Sequence, residues 1–139
     1  MRKIGLDIGD ARIGVAVSDV SGIIASPRET YSRQNPKKDA AYFKNLAETE
    51  NADEIVLGLP VNMDGTKGAR AASVAEYGEM LRSETGVAVV YIDERLTTVQ
   101  AEKALIASDM RRDKRKLVID KVAASIILQA YLDKIRRLR

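Results

Sequence analysis

Acidic residues stand at three places where this chain is otherwise apolar. Asp7 interrupts the first apolar run near its end, and Asp93-Glu94 follows directly after the run "VAVVYI". Asp120 falls in the last predicted helix, on the face that also carries the apolar and aromatic positions four, seven and eleven residues further on. Because an ionised carboxylate on a buried face is costly unless it is paired, each acid needs a partner.

A divalent cation is the partner that these residue types favour. The sequence contains no Cys and no His, which excludes thiol nucleophiles, disulfides, zinc held by Cys or His, and histidine acid–base catalysis. Mg²⁺ and Mn²⁺ prefer oxygen ligands. We therefore predict one or two such ions at Asp7, Glu94 and Asp120, with Asp93 as the alternative to Glu94, where they would activate water for phosphodiester hydrolysis.

Each of these acids also has a structural interpretation. Asp7 could accept hydrogen bonds from turn amides. Glu94 could form a surface ion pair with Arg95 or Arg12. Asp120 could interact with the dipole at the start of its helix. The combination of all three acids favours a metal site more than any one of them does.

The elements that must position these acids are short strands and amphipathic helices. Apolar runs and turn residues predict strands over 3–8, 13–18, 23–31, 54–59 and 87–93, and helices over 36–50, 73–85, 98–108 and 116–137. Pro27 indicates an edge position or a bulge for the third strand. A loop rich in Gly and Asp is predicted between the fourth strand and the second helix.

This order of elements predicts an α/β fold in a single domain spanning 1–139. Adjacent opening strands are typical of antiparallel pairing, and helices between the later strands indicate parallel crossovers, giving a mixed sheet flanked by helices. Ligands in such sheets collect at the carboxyl ends of the parallel strands. Asp7 and Glu94 are therefore expected on the same rim.

Charge along the chain is uneven. Residues 111–139 contain ten basic and three acidic residues, a net charge of +7, whereas residues 1–110 sum to −4. A basic segment on a mildly acidic body favours a phosphate-bearing partner, although a solvated helix face would have the same composition. Since no apolar run reaches the roughly 20 residues of a membrane span and Asp7 interrupts the N-terminal one, we expect no membrane contact and a cytoplasmic location.

Several polar and basic residues are candidates for contacts with nucleic acid. Arg12, Asn62 and Arg95 are predicted on loops beside the acidic rim. The basic run before the acidic helix would attract a phosphate backbone without sequence preference. Its candidate contacts are Arg111, Arg112, Arg115 and Lys116.

Four segments of the chain stand out together and in order: "GLDIGDARIGVAVSD", "VLGLPVNMDGTKGARA", "YIDERLTTVQAE" and "RKLVIDKVAASIILQAYL". They resemble the YqgF/RuvX family of the RNase H-like superfamily. The resemblance implies a ribonuclease H-like fold, metal-dependent phosphodiester hydrolysis and a role in maturation of the 5′ end of 16S rRNA. Asp7, Glu94 and Asp120 match its three acids. Related resolvases carry the second acid at the end of the fourth strand, where this chain has Gly58-Leu59-Pro60.

The resulting prediction is a metal-dependent endonuclease that acts on structured RNA, as a monomer or a homodimer. Three alternatives stay open. The chain could resolve DNA Holliday junctions, or it could bind RNA as a non-catalytic ribosome-assembly factor. It could also act on nucleotides, because "DIGDARIGVAVSD" resembles the first phosphate-binding hairpin of actin-like ATPases.

Overall fold

The computed structural model of the chain describes residues 1–109 and 112–138, and the side chains at these positions except 100 and 106–117. Within that part it has five strands, four α-helices and one short 3-10 helix, Glu94–Leu96. The strands are β1 (Arg2–Ile8), β2 (Arg12–Ser18), β3 (Ala25–Ser32), β4 (Ala52–Leu59) and β5 (Ala88–Asp93). The helices are α1 (Pro36–Glu50), α2 (Ala69–Thr85), α3 (Val99–Asp109) and α4 (Arg112–Arg137).

All five strands form one mixed sheet in the order β3-β2-β1-β4-β5. The first three strands pair antiparallel, and β4 pairs parallel to both β1 and β5. This arrangement confirms the predicted fold class. Because β1, β4 and β5 are parallel, their carboxyl ends meet at one edge of the sheet.

The strand that contains Pro27, β3, lies at an edge of the sheet, as the proline predicted. Pro27 lies in β3, and the register between β2 and β3 shifts between Val15 and Ala16, as a bulge does. The strand starts two residues later than predicted, at Ala25. The carboxylate of Asp19 explains this difference, since it accepts hydrogen bonds from the backbone N–H groups of Ile23 and Ile24 and holds them in a loop.

Two hydrophobic cores lie on opposite faces of the sheet. On one face, Leu6 and Ile13 pack with α1 and α2, whose contributions include Phe43 and Leu81. On the other face, residues such as Val56 pack with α4. The strands are therefore covered on both sides, which explains why β4 reads as a continuous apolar run.

Two helices begin four residues earlier than the sequence predicted. The second helix starts at Ala69 and the fourth at Arg112. Ala and Arg are strong helix formers, so α2 begins directly after Gly68. The start of α1 was predicted correctly, and the side chain of Asn35 caps it by accepting a hydrogen bond from the backbone N–H of Lys38.

A buried carboxylate ties three elements together on the α1–α2 face. Asp39 of α1 is 2% exposed and accepts hydrogen bonds from the hydroxyls of Tyr31 and Tyr77 at 2.7 and 2.9 Å. The backbone N–H of Gln34 donates to it at 3.0 Å. Burial, reinforced by the hydrogen bond to Asp39, raises the pKa of Tyr31 to about 12. The acid therefore links β3, α1 and α2 through hydrogen bonds.

Asp39→Ala is expected to lower the free energy of unfolding by about 3 kcal/mol, because it leaves two buried hydroxyls and one partly buried N–H group without their acceptor. Urea unfolding followed by circular dichroism measures this change. Asp53→Ala serves as the control, since Asp53 is 41% exposed and forms a surface pair with Lys3. An equal effect of both substitutions would contradict a special role for Asp39.

No helix in the described part of the chain combines the length and the apolar character that crossing a membrane requires.

Candidate active site

Asp7 is a buried acid near the carboxyl end of β1. It pairs with Gly14 of β2 in the sheet and is 7% exposed. Its side chain shares the α4 face with Gly5, where a Cβ would lie 2.6 Å from Leu128 of α4. The ammonium Nζ of Lys103 on α3 lies 3.1 Å from Oδ2 of Asp7. Burial raises the pKa of the Asp7 carboxyl, although Lys103 opposes the rise.

Asp120 lies on α4 where this helix crosses β2. The crossing is so close that a Cβ on Gly14 would stand 1.8 Å from the carbonyl oxygen of Asp120. Glycine at position 14 thus allows the helix to bring its acid over the sheet. Asp120 Oδ2 accepts a hydrogen bond from Arg12 Nε at 3.0 Å. Its negative charge acts on Asp7 and contributes to the raised pKa of that carboxyl.

Glu94 follows β5 but extends over the neighbouring strand. It is 9% exposed, and its Oε1 lies 2.9 Å from the position that a Cβ on Gly58 of β4 would occupy. The register that pairs Leu6 with Leu57 makes Gly58 the neighbour of Asp7. Glu94 thus places a carboxylate where a side chain at the end of β4 would stand.

Asp93, the alternative to Glu94, lies in a different environment. Its carboxylate accepts hydrogen bonds from Arg95 Nε at 3.1 and 3.0 Å and from Nη2 at 2.6 Å. These hydrogen bonds lower the pKa of Asp93. Asp93 also caps the 3-10 helix by accepting from the backbone N–H of Arg95. It therefore orders the turn that carries Glu94, and the geometry favours Glu94 as the acid that faces Asp7.

Comparison with known proteins decides the family. A family model described as RuvX, Holliday junction resolvase, matches residues 1–134. The chain belongs to the RuvX family. A relative from Halothermothrix orenii is 48% identical over 133 residues, covering 96% of this chain and 95% of its own length. One from Clostridioides difficile is 48% identical, covering 95% and 94%. Both carry the name "Putative pre-16S rRNA nuclease".

RuvC-like resolvases are among the solved structures that share this fold. RuvC of Thermus thermophilus in complex with a Holliday junction substrate aligns with a TM-score of 0.59 at 12% identity, covering 96% of each chain. The fowlpox virus Holliday junction resolvase aligns with a TM-score of 0.56 at 15% identity, covering 96% of this chain and 99% of its own. At these identities the likeness establishes the fold alone, which is RNase H-like.

The three described polar residues that were predicted to contact substrate form hydrogen bonds or ion pairs within this chain. Arg12 starts β2 rather than lying in a loop, and it pairs with Asp120. Asn62 donates a hydrogen bond to Thr66 at 3.0 Å inside its own loop. Arg95 belongs to the 3-10 helix and pairs with Asp93. Arg111 lies outside the described residues, as do the side chains of the other three basic candidates, Arg112, Arg115 and Lys116.

The donor set of the candidate site fits a hard divalent cation, because its three acids supply only oxygen atoms on one face of the sheet. No three acids in the described part of the chain are already close enough together to hold an ion. Lys103 and Arg12 instead contact Asp7 and Asp120. An ion would have to displace these contacts, and three carboxylates beside two cations retain a negative charge that favours it.

Sequence reasoning missed three residues of this site. Gly14 and Gly58 provide the space for Asp120 and Glu94, and Lys103 contacts Asp7. The signal for the glycines was present, since a glycine inside a strand often marks a close approach of another segment. Lys103 had no comparable signal, because its spacing on α3 does not specify which strand it contacts.

Proposed function

We propose that this chain is a divalent-metal-dependent endonuclease that hydrolyses phosphodiester bonds at the 5′ end of precursor 16S rRNA. One observation carries the proposal. Asp7, Glu94 and Asp120 come from a strand, a 3-10 helix and a long helix, and all three lie on the α4 side of one sheet edge. The named relatives support the substrate. A protein that acts on this RNA would be located in the cytoplasm.

The three acids would hold one or two Mg²⁺ or Mn²⁺ ions. Such an ion, when bound, activates water and stabilises the charge that develops on the phosphate. The chain itself supplies a site walled by the sheet and by α4, which restricts access of bulk water to Asp7 and Glu94. Lys103 and Arg12 keep Asp7 and Asp120 paired, so the buried carboxylates are not left without a counter-charge.

A parallel cleavage assay tests this function. A labelled fragment spanning the 5′ end of precursor 16S rRNA and a four-way DNA junction are incubated separately with Mg²⁺, Mn²⁺ or a chelator. We expect metal-dependent cleavage of the RNA and none in chelator. Cleavage of the junction alone would assign the chain to junction resolution, which the family description favours as the second candidate. RNA binding without cleavage would indicate an assembly factor.

The adjacent acids after β5 provide a matched pair of variants for the same assay. Glu94→Gln is expected to reduce the cleavage rate by roughly 10³-fold, because it removes a charged ligand that faces Asp7. Asp93→Asn is expected to reduce it by less than about tenfold, since Asp93 only orders the turn through Arg95. A larger loss in Asp93→Asn than in Glu94→Gln would reverse the two roles.

A further inference from the structure

A second group of basic side chains surrounds the β1–β2 turn on the side away from α4. Between this turn and the first turn of α2 lies a cleft of about 240 Å³, lined by the residues of the turn together with Arg33, Arg70 and Ser73. The first turn of α2 carries no acidic side chain. Two guanidinium groups therefore flank one concave surface, a composition that favours an anion.

Arg33 is held in place by the protein itself. Its Nη1 donates a hydrogen bond to the carbonyl of Gly9 at 2.7 Å, and its guanidinium carbon lies 4.5 Å from the centre of the Tyr77 ring. A guanidinium has five N–H donors in a planar fork. The hydrogen bond to Gly9 and the contact with the ring restrict the guanidinium, so Arg33 is pre-organised for a ligand with several oxygen atoms.

Arg70 is loosely held by comparison. Its side chain is 57% exposed, and its nearest described polar contacts are the carbonyl of Ile8 at 3.4 Å and Asp10 at 3.6 Å. Asp10 is itself 99% exposed at the side chain, so this surface pair contributes little stability. Arg70 can exchange Asp10 for a phosphate at little cost.

The cleft is a neighbour of the acidic site. Residues 8–10 follow Asp7 within about 10 Å of chain, at about 3.3 Å per strand residue. The positive charge of Arg70 acts on the Asp7 carboxylate. A nucleic-acid strand carries one phosphate per roughly 3.4 Å of helix axis. A strand bound at Asp7 has neighbouring phosphates at a spacing shorter than this separation, so the cleft round the sheet edge is within its reach.

We propose that Arg33 and Arg70 form a second phosphate-binding subsite, which holds a backbone phosphate of the nucleic acid beside the one that is cleaved. The inference rests on the proposed nuclease function. Its ligand is a phosphate group with at least two free oxygen atoms, as found in a backbone phosphodiester. A free nucleotide or inorganic phosphate presents the same chemistry, and the test below separates these sources.

The test measures RNA binding in the presence of a chelator, because no cleavage is expected without a divalent metal ion. Fluorescence polarisation of the labelled precursor fragment is recorded over a range of KCl concentrations for the unchanged protein, Arg70→Met and Arg82→Met. Arg82 is the control, since it lies in the last turn of the same helix and pairs with Glu79. We expect Arg70→Met to weaken binding several-fold and to reduce the slope of log affinity against log salt by about 0.7 to 0.9, the loss of one phosphate contact. The control should leave the slope unchanged.

Equal slopes for all three proteins would overturn the subsite, whether or not the protein cleaves RNA. Conversely, a slope reduced by one phosphate contact in Arg70→Met would support the subsite even if cleavage were never observed, so the two proposals fail independently. Calorimetric titration with ATP and with inorganic phosphate forms the second arm. Binding of either that depends on Arg70, with an unchanged RNA slope, would overturn the assignment to a backbone phosphate. Melting temperatures of the variants check that each is folded.

Discussion

Asp7→Asn is expected to reduce metal-dependent cleavage at least about 10³-fold while raising the melting temperature at neutral pH. The loss of activity follows because the amide cannot supply the negative charge that a divalent cation needs, and such an ion contributes several kcal/mol to the transition state. The gain in stability follows from burial, because the folded protein disfavours the charged form of Asp7. One substitution should therefore move activity and stability in opposite directions.

The pH dependence of this gain has a defined sign. The pKa of Asp7 is raised in the folded protein above its value in the unfolded chain. Above the folded pKa the charged carboxylate costs stability, and below the unfolded pKa that cost disappears because Asp7 is protonated in both states. The difference in melting temperature between Asp7→Asn and the unchanged protein should therefore be largest at pH 7 and should shrink as the pH falls through the raised pKa.

Thermal unfolding between pH 4 and pH 8, alongside the cleavage assay, measures both effects. Asp53→Asn is the matched control, since it makes the same chemical change on an exposed side chain that pairs with Lys3. Asp53 lies at the start of β4, at the sheet edge opposite to the one that carries Asp7. This control should leave cleavage unaffected. Full activity in Asp7→Asn would remove Asp7 from the chemistry, and a lower melting temperature at pH 7 would show that its ion pair with Lys103 outweighs its burial.

The sequence was sufficient to predict the layout of the sheet because each step depended on local signals. The adjacent opening strands predicted antiparallel pairing, Pro27 predicted an edge position or a bulge, and the helices between the later strands predicted parallel pairing. The first residues of several elements were predicted less accurately, because they depend on contacts of single side chains. The late start of β3, set by Asp19, is an example.

The candidate acids were chosen from their unusual positions in the sequence, which gave no information on their surroundings. Lys103 contacts Asp7 only because the tertiary fold packs α3 against α4 and brings this side chain within 3.1 Å of the Asp7 carboxylate. The choice between Asp93 and Glu94 likewise depended on the 3-10 helix, which directs Glu94 over Gly58 and leaves Asp93 with Arg95. The sequence identifies charged residues, and the fold determines which of them meet.

The close crossing of α4 over β2 leads to the second large effect. Gly14→Ala is expected to lower the free energy of unfolding by about 4 kcal/mol, beyond the usual range for an added methyl group in a packed core. Its Cβ would stand 1.8 Å from the carbonyl oxygen and 2.2 Å from the carbonyl carbon of Asp120. Both are backbone atoms, so no side-chain rotation can relieve the overlap, and α4 itself must move away from the sheet.

This displacement would also affect the site, because the same turn of α4 carries the carboxylate of Asp120. Gly14→Ala should therefore lose cleavage even at temperatures where it is folded. Gly68→Ala is the control, since its added Cβ would meet its nearest described neighbour, Asn62, at an ordinary 3.5 Å, and its φ of −82° suits alanine. Urea unfolding and the cleavage assay are run on both. If Gly14→Ala keeps normal stability, α4 does not approach β2 as closely as described, and the placement of Asp120 beside Asp7 fails with it.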